Sequence, residues 1–230
     1  MMKKIKMNFE KNDYRTDESY KTLRTNIEFS GVDTKVIAVT SCTPEEGKST
    51  VTIELARSLA ESGKRVLFID ADLRRSVLCG RYEIGHDVKG LSHFLSGKSL
   101  ANEITYQTEL EQLVMIFSGV IPPNPAELLG QSRFAGLVSS ARKVYDYIII
   151  DTPPLGSVID AAIVAKVCDA AVLVIEANVI SYKYARTVKA QLEKSGCPIL
   201  GAVLNKVDMK QNKYYGKYYE KYYGKYYGKE

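Results

Sequence analysis

The sequence predicts an α/β fold: a three-layer α/β/α sandwich around a mostly parallel sheet, followed by a disordered tyrosine-rich tail. Three observations carry the prediction. Short apolar, β-branched runs recur, each followed by a stretch of helical periodicity, which is the pattern of strands buried on both faces and covered by helices. Several of those runs end on acidic or Gly-Lys-Ser residues, at the carboxyl ends where open α/β sheets bind ligands. Finally, the last 17 residues, YYGKYYEKYYGKYYGKE, place four Tyr-Tyr pairs at a four-residue step that a folded core cannot use.

Taken in chain order, the start MMKKIKMNFEKND is basic, but no apolar segment follows it, so no signal peptide is expected. In TDESYKTLRTNIEF, Tyr20, Leu23 and Ile27 fall at helical spacing, an amphipathic helix to be packed on the body or on a neighbour. Strands are expected at Lys35–Thr40, Arg65–Asp70, Leu113–Phe117, Tyr147–Asp151, Ala170–Glu176 and Ile199–Asn205. Helices are expected at Ser49–Ser62, Pro125–Val144 with a break near Gly130, Asp160–Val167 and Tyr182–Ser195. The proline-dense SGVIPPNPAELL reads as a loop running into a helix that starts on a proline. Regular structure is expected to stop after Asp208. The implied organisation is an oligomerisation segment over 1–34, a catalytic domain over 35–208 and a tail over 209–230.

Composition sets bounds on function. With 45% hydrophobic and 26% charged residues the chain is a soluble globular type, and no apolar run reaches the length of a membrane span. The net charge is +5, of which the segment from Lys210 onward carries +4. The near-neutral body offers no nucleic-acid surface. Cys42, Cys79, Cys168 and Cys197 have no metal-binding spacing and read as thiols of a reducing cytosol.

Three strand ends carry chemistry. After the first strand, TSCTPEEGKST ends in the Gly-Lys-Ser of a phosphate-binding loop, with Cys42 where the general pattern has glycine. Such a loop turns backbone N–H groups onto phosphate oxygens, and the following helix adds its positive end. Lys48 is placed to reach the β/γ-phosphates and Ser49 to put a hydroxyl on Mg²⁺. Glu46, Gly47, Lys48, Ser49 and Thr50 form the candidate nucleotide-binding stretch. After the second strand, DADLR sets Asp70 and Asp72 one residue apart, so both can face one crevice and serve metal binding and proton acceptance. After YIIID, Asp151 opens DTPP, the position of a carboxylate that holds Mg²⁺ in phosphate-loop proteins. Together these make a nucleoside-triphosphate site on a P-loop NTPase-like fold.

On these motifs the chain resembles the bacterial tyrosine kinases of capsule and exopolysaccharide gene clusters. TSCTPEEGKST is similar to that family's Walker A variant, VLFIDADLR to its second acidic motif, and IIIDTPP to its Walker B form. SGVIPPNPAELL, GLSHFLSG and the terminal tyrosine cluster are similar to further family stretches. The resemblance implies an ATP- and Mg²⁺-dependent autokinase that regulates polysaccharide synthesis and export. Lys48 and Ser49 would bind ATP phosphates and Mg²⁺, with Asp70 and Asp151 among the metal ligands. Asp70 or Asp72 would position or deprotonate the tyrosine, and Asn205 would lie near the base. The substrates would be Tyr214, Tyr215, Tyr218, Tyr219, Tyr222, Tyr223, Tyr226 and Tyr227. Implied partners are a separate transmembrane activator (a polysaccharide co-polymerase) acting through its cytosolic segment, further copies in a ring, and a cognate tyrosine phosphatase. The location would be cytoplasmic, at the inner face of the membrane. Two positions depart from the family pattern. Glu45 stands where glycine is common, a strained choice if the backbone there needs positive φ. The assembly motif reads Glu18, Lys21, Arg24, with Lys in place of an arginine fork.

Other readings compete. LNKVD contains the guanine-reading pattern of GTPases, but the preceding motif is D-x-x-P, and proline lacks the N–H that would sense a γ-phosphate. A partition- or septum-positioning ATPase would carry a lysine early in the loop, and none precedes Lys48 there. A Lys/Tyr tail could also act as an unmodified binding arm for single-stranded nucleic acid or a membrane. Full modification of the eight tail tyrosines would change that segment from +4 to about −8 to −12.

Overall fold

The computed structural model describes residues 3–31, 33–85 and 88–208. The tail tyrosines lie outside the described residues. Six strands, at the positions the apolar runs mark, form the body of the sheet: β2 (Val36–Ser41), β3 (Val66–Asp70), β5 (Leu113–Ile116), β6 (Tyr147–Asp151), β7 (Ala170–Glu176) and β8 (Ile199–Asn205). Two short strands, β1 (Lys3–Lys4) and β4 (Thr105–Gln107), extend one edge and give the order β1-β4-β5-β3-β6-β2-β7-β8. Every pairing is parallel except β4 with β5. Strands of two and three residues are too short to show a period, so β1 and β4 left no pattern to read.

Side chains alternate across each central strand and feed two cores. On one face Val36, Ala38, Leu67, Ile69, Ile148 and Ile150 meet Leu128, Phe134, Val138, Val164, Val188 and Leu192. These last come from α6 (Pro125–Leu129), α7 (Ser132–Ala141), α8 (Asp160–Ala165) and α9 (Tyr182–Glu193). On the other face Ile37, Val39, Val66, Phe68 and Ile149 pack on Val51, Ile53, Leu55 and Leu59 of α2 (Lys48–Glu61). The expected break in the long helix falls at Gly130, which caps α6.

Helix α2 is buried on nearly every side because α1 (Tyr14–Glu28) lies over it. Asp13 starts α1 by accepting the N–H of Thr16 at 2.8 Å. Its Ile27 is buried and Tyr20 and Leu23 pack on the same core, so the amphipathic face is used within the chain. Glu18 and Lys21 pair with each other on the outside at 2.8 Å. Arg24 turns inward, donating to the carbonyl of Ser58 on α2 at 2.9 Å.

The expectation that all six long strands are buried on both faces needs one correction. Strand β8 is the sheet edge with only β7 beside it, and Leu200 and Leu204 are exposed. Short helices α3 (Leu78–Arg81), α4 (Leu91–Leu95) and α5 (Ala101–Ile104) fill the β3-to-β4 connection, each too brief to reveal a helical period. Among the described residues no helix is long and apolar enough to cross a membrane.

Candidate active site

The parallel register sets the site. Asp70 and Asp151 are direct partners at the ends of β3 and β6, and β2, on the other side of β6, delivers the loop 42–47. The carboxylates, the loop and the start of α2 therefore meet at one sheet edge.

Loop geometry explains its residues. Gly47 takes φ 79°, and a Cβ there would stand 2.2 Å from the Asn205 amide nitrogen, so only glycine fits on both counts. Glu45 also has positive φ, 68°, so the family's usual glycine corresponds to a real conformational demand. Cys42 is fully buried in the core, which accounts for a small apolar residue at the position where other loops have glycine.

Glu46 is buried with its side chain turned away from the cleft. One carboxylate oxygen accepts the N–H of Thr43 and, at 2.9 Å, the Thr43 hydroxyl. The other accepts the N–H of Glu176 at 2.9 Å, past the end of the loop's own strand. Glu46 thus ties the loop to the end of β7 and leaves its backbone N–H as what it can offer a phosphate. Asn205 donates to the Glu46 carbonyl at 2.8 Å, and Lys206 donates to the Glu45 carbonyl at 2.6 Å and pairs with Glu176 at 2.9 Å. The loop is held from outside by the end of β8, a set of bonds between residues roughly 160 apart that no local pattern announces.

Inside the site, Lys48 Nζ sits 2.6 Å from Asp151 Oδ1, both buried, and 3.1 Å from the Ser49 hydroxyl. Thr52 Oγ1 lies 3.1 Å from the same Asp151 oxygen. Asp70 is completely buried. Burial, then the Asp151 charge and more weakly the Asp72 charge, push its carboxyl up to about 7 against the pull of the Ser76 hydroxyl and Lys48. Ser76 donates to Asp70 Oδ2. Asp72 is placed differently: it lines the cleft, and its Oδ1 accepts the N–H groups of Arg74 (3.2 Å) and Arg75 (2.9 Å). Arg74 forks onto the buried carboxylate of Asp160 at 2.8 and 2.9 Å.

The segment after Asp151 seals the floor. Thr152 donates to the Val39 carbonyl at 2.8 Å and Thr40 to the Pro153 carbonyl at 3.0 Å. Gly156 passes so close to the loop that a Cβ would meet the Cys42 carbonyl oxygen at 2.1 Å. The resulting cleft is about 540 Å³ and is lined by Lys48, Ser49, Thr50 and Asp72 on one side and Pro153 and Pro154 on another. Asp70 and Asp151 lie behind this lining. Among the described residues no three His, Cys, Asp or Glu side chains gather as a metal cage. A buried carboxylate pair beside a serine hydroxyl still suits Mg²⁺, which takes one or two carboxylates and fills its remaining positions with water and phosphate oxygens.

Comparison with known proteins agrees with this geometry. The family model described as an AAA domain matches residues 34–194. Tyrosine-protein kinase CpsD of Streptococcus agalactiae is 44% identical over 194 residues, which span 84% of this chain and 85% of that protein. The kinase domain of Escherichia coli tyrosine kinase ETK superposes with a TM-score of 0.78 at 33% identity, covering 84% of this chain and 77% of that one. The septum site-determining protein MinD of Pyrococcus horikoshii, solved with Mg-ADP, is more distant, with a TM-score of 0.63 and 26% identity over 74% of this chain and 69% of that one.

Proposed function

The chain belongs to the bacterial tyrosine-protein kinases of the AAA-domain family and is a nucleotide-binding protein-tyrosine kinase, and from that premise we propose how its residues transfer phosphate and to what. The donor is ATP, and the acceptors are the tyrosines between Tyr214 and Tyr227. The observation that carries this reading is that Lys48, Ser49 and Asp72 line one cleft with Asp70 and Asp151 behind it, gathered from three strand ends.

The loop N–H groups and the N-terminus of α2 hold the phosphates. Lys48, which pairs with Asp151, would exchange that partner for the β/γ-phosphates, while the Thr52 hydroxyl, shared between the Lys48 carbonyl at 2.8 Å and Asp151 at 3.1 Å, stays beside the carboxylate. Ser49, with Asp70 and Asp151, would hold Mg²⁺, which would supply positive charge beside the phosphate oxygens. Asp72 is the carboxylate that faces an incoming hydroxyl, because it lines the cleft whereas Asp70 is buried behind it. The tyrosine O–H gives its proton to Asp72 and its oxygen bonds to the γ-phosphorus. The bond from that phosphorus to the β–γ bridging oxygen breaks, and ADP leaves. Asn205 fixes the loop from behind and borders the base end of the site.

The wider setting follows the family resemblance: regulation of capsule or exopolysaccharide export, activation by a transmembrane partner's cytosolic segment, recruitment to the inner membrane face and reversal by a phosphatase. Self-assembly would use the outer face of α1, where Glu18 and Lys21 are presented while Arg24 is committed to α2.

Intact-mass and phosphosite analysis after incubation with ATP and Mg²⁺ tests the reading, with Lys48→Met as control and a repeat with the activator's cytosolic segment fused on. Stepwise addition of phosphate to Tyr214–Tyr227, absent from the control, is expected. Nucleotide turnover with no added mass, even with the activator, would instead mark a switch ATPase.

A further inference from the structure

The mouth of the cleft has a chemical character that the transfer of one phosphoryl group leaves unexplained. Arg74, Arg75 and Arg81 all line it and all are exposed. Arg74 is neutralised by Asp160. Among the described residues, however, the Arg75 side chain has no hydrogen bond or ion pair. The Arg81 side chain donates to the Thr50 hydroxyl, at 2.7 Å, and among the described residues meets no carboxylate. By contrast, Lys206 on the same cleft is paired with Glu176. Two guanidinium groups without a carboxylate partner among the described residues therefore line the same cleft as Asp72, whose carboxylate accepts the backbone N–H of Arg75 itself.

An unmodified tail gains nothing from them. It carries +4 and its tyrosines are neutral, so two extra positive charges at the entrance oppose its approach. A tail that already bears a phosphate is attracted, since the planar guanidinium fork matches phosphate oxygens in pairs. The sequence supplies the second half of the argument. Every tail tyrosine has a tyrosine neighbour, and in an extended chain adjacent side chains point to opposite sides. With one ring directed at Asp72, its neighbour is directed away, toward the rim.

Building on the autokinase reading, we propose that Arg75 and Arg81 form a phosphotyrosine-binding subsite that retains a half-modified Tyr-Tyr pair while its second tyrosine is phosphorylated. The tail is then modified pair by pair. Sites are not drawn at random, and the unfavourable charge at the mouth becomes favourable only after the first transfer.

The test uses the full chain saturated with ADP and Mg²⁺ and labelled tail peptides Lys-Tyr-Tyr-Gly-Lys, unmodified or phosphorylated on one tyrosine, followed by fluorescence anisotropy. The singly phosphorylated peptide is expected to bind at least about tenfold more tightly. Arg75→Gln should remove about threefold of that preference, Arg75→Lys less, and the double variant with Arg81→Gln nearly all. ADP affinity and the rate of the first phosphate in Arg75→Gln should stay within about twofold of the parent. In site-resolved time courses, pairs modified on both tyrosines should outnumber the random expectation in the parent and match it in the double variant. No preference for the phosphorylated peptide, or a preference untouched by both substitutions, overturns the proposal. A parallel loss of ADP binding would overturn it too, by assigning these groups to the nucleotide phosphates. Peptide binding needs no turnover, so a chain that binds the phosphopeptide yet never phosphorylates itself would refute the autokinase reading and leave the subsite standing.

Discussion

Replacing Asp70 by Asn should remove one pH-dependent contribution to stability, the one that opposes folding as pH rises. Asp70 is completely buried, beside the Asp151 and Asp72 charges, and its carboxyl is held at about 7 in the folded chain against an ordinary value of 3.8. The folded state therefore keeps a proton that the unfolded chain releases, and stability falls as pH rises from about 4 to about 7, then levels off. Linkage gives a cost that is larger at pH 8 than at pH 5. Asn carries no charge to bury, and its side-chain oxygen can still accept from Ser76. The stability advantage of Asp70→Asn over the parent should thus grow by about 2–3 kcal/mol between pH 5 and pH 8. For a chain of this length that is a divergence in Tm of about 5–10 °C. Thermal melts of both proteins in nucleotide-free buffer with EDTA, at the two pH values, measure it. Equal differences at both pH values would mean that folded Asp70 is ionised throughout, and the account of the buried carboxylate pair would be wrong. Asp70→Asn should also abolish tail phosphorylation at either pH.

Three further outcomes follow from the loop. Glu46→Ala leaves the partly buried N–H groups of Thr43 and Glu176 without their acceptor and should cost about 1–3 kcal/mol and weaken ADP binding, with Glu46→Gln intermediate; a variant that melts and binds ADP like the parent would count against the tether. Gly47→Ala should destabilise strongly, and adding Asn205→Ala should return the steric part but not the roughly 1 kcal/mol of positive-φ strain, a coupling that denaturant melts of the four-member cycle detect. Glu45→Gly should leave stability within about 1 kcal/mol, because relief of strain at φ 68° is offset by the greater freedom of glycine in the unfolded chain; a larger shift in the denaturation midpoint would show that the Glu45 side chain has a role of its own.

Much of the architecture was legible along the chain because a strand buried on both faces and a helix covering it each leave a periodic trace. The six long strands and the break at Gly130 are of this kind. So were the residues that meet at the site, since a loop, a carboxylate pair and a hydroxyl with fixed chemistry must sit at strand ends. What left no trace was short or distant. Strands β1 and β4 are too short to repeat a pattern, the exposure of β8 depends on what lies beside it, and the contact of Arg24 with the Ser58 carbonyl exists only once α1 is laid on α2.

The sequence by itself determined the class of chemistry. Lys48 and Ser49 in a Gly-Lys-Ser loop specify nucleotide binding wherever the chain folds so as to bring them together, and three aspartates stand at the neighbouring strand ends. Only the tertiary structure decided how that work is divided. Register set Asp70 against Asp151 in the protein interior, where burial pushes the Asp70 carboxyl up, and left Asp72 on the cleft wall. It also gave the Glu46 side chain a tether to the end of β7 and, among the described residues, gave Arg75 and Arg81 no carboxylate partner at the entrance. Burial and pairing are properties of what surrounds a side chain in space, and neighbours drawn from 80 to 160 residues away are not written in the residues beside it.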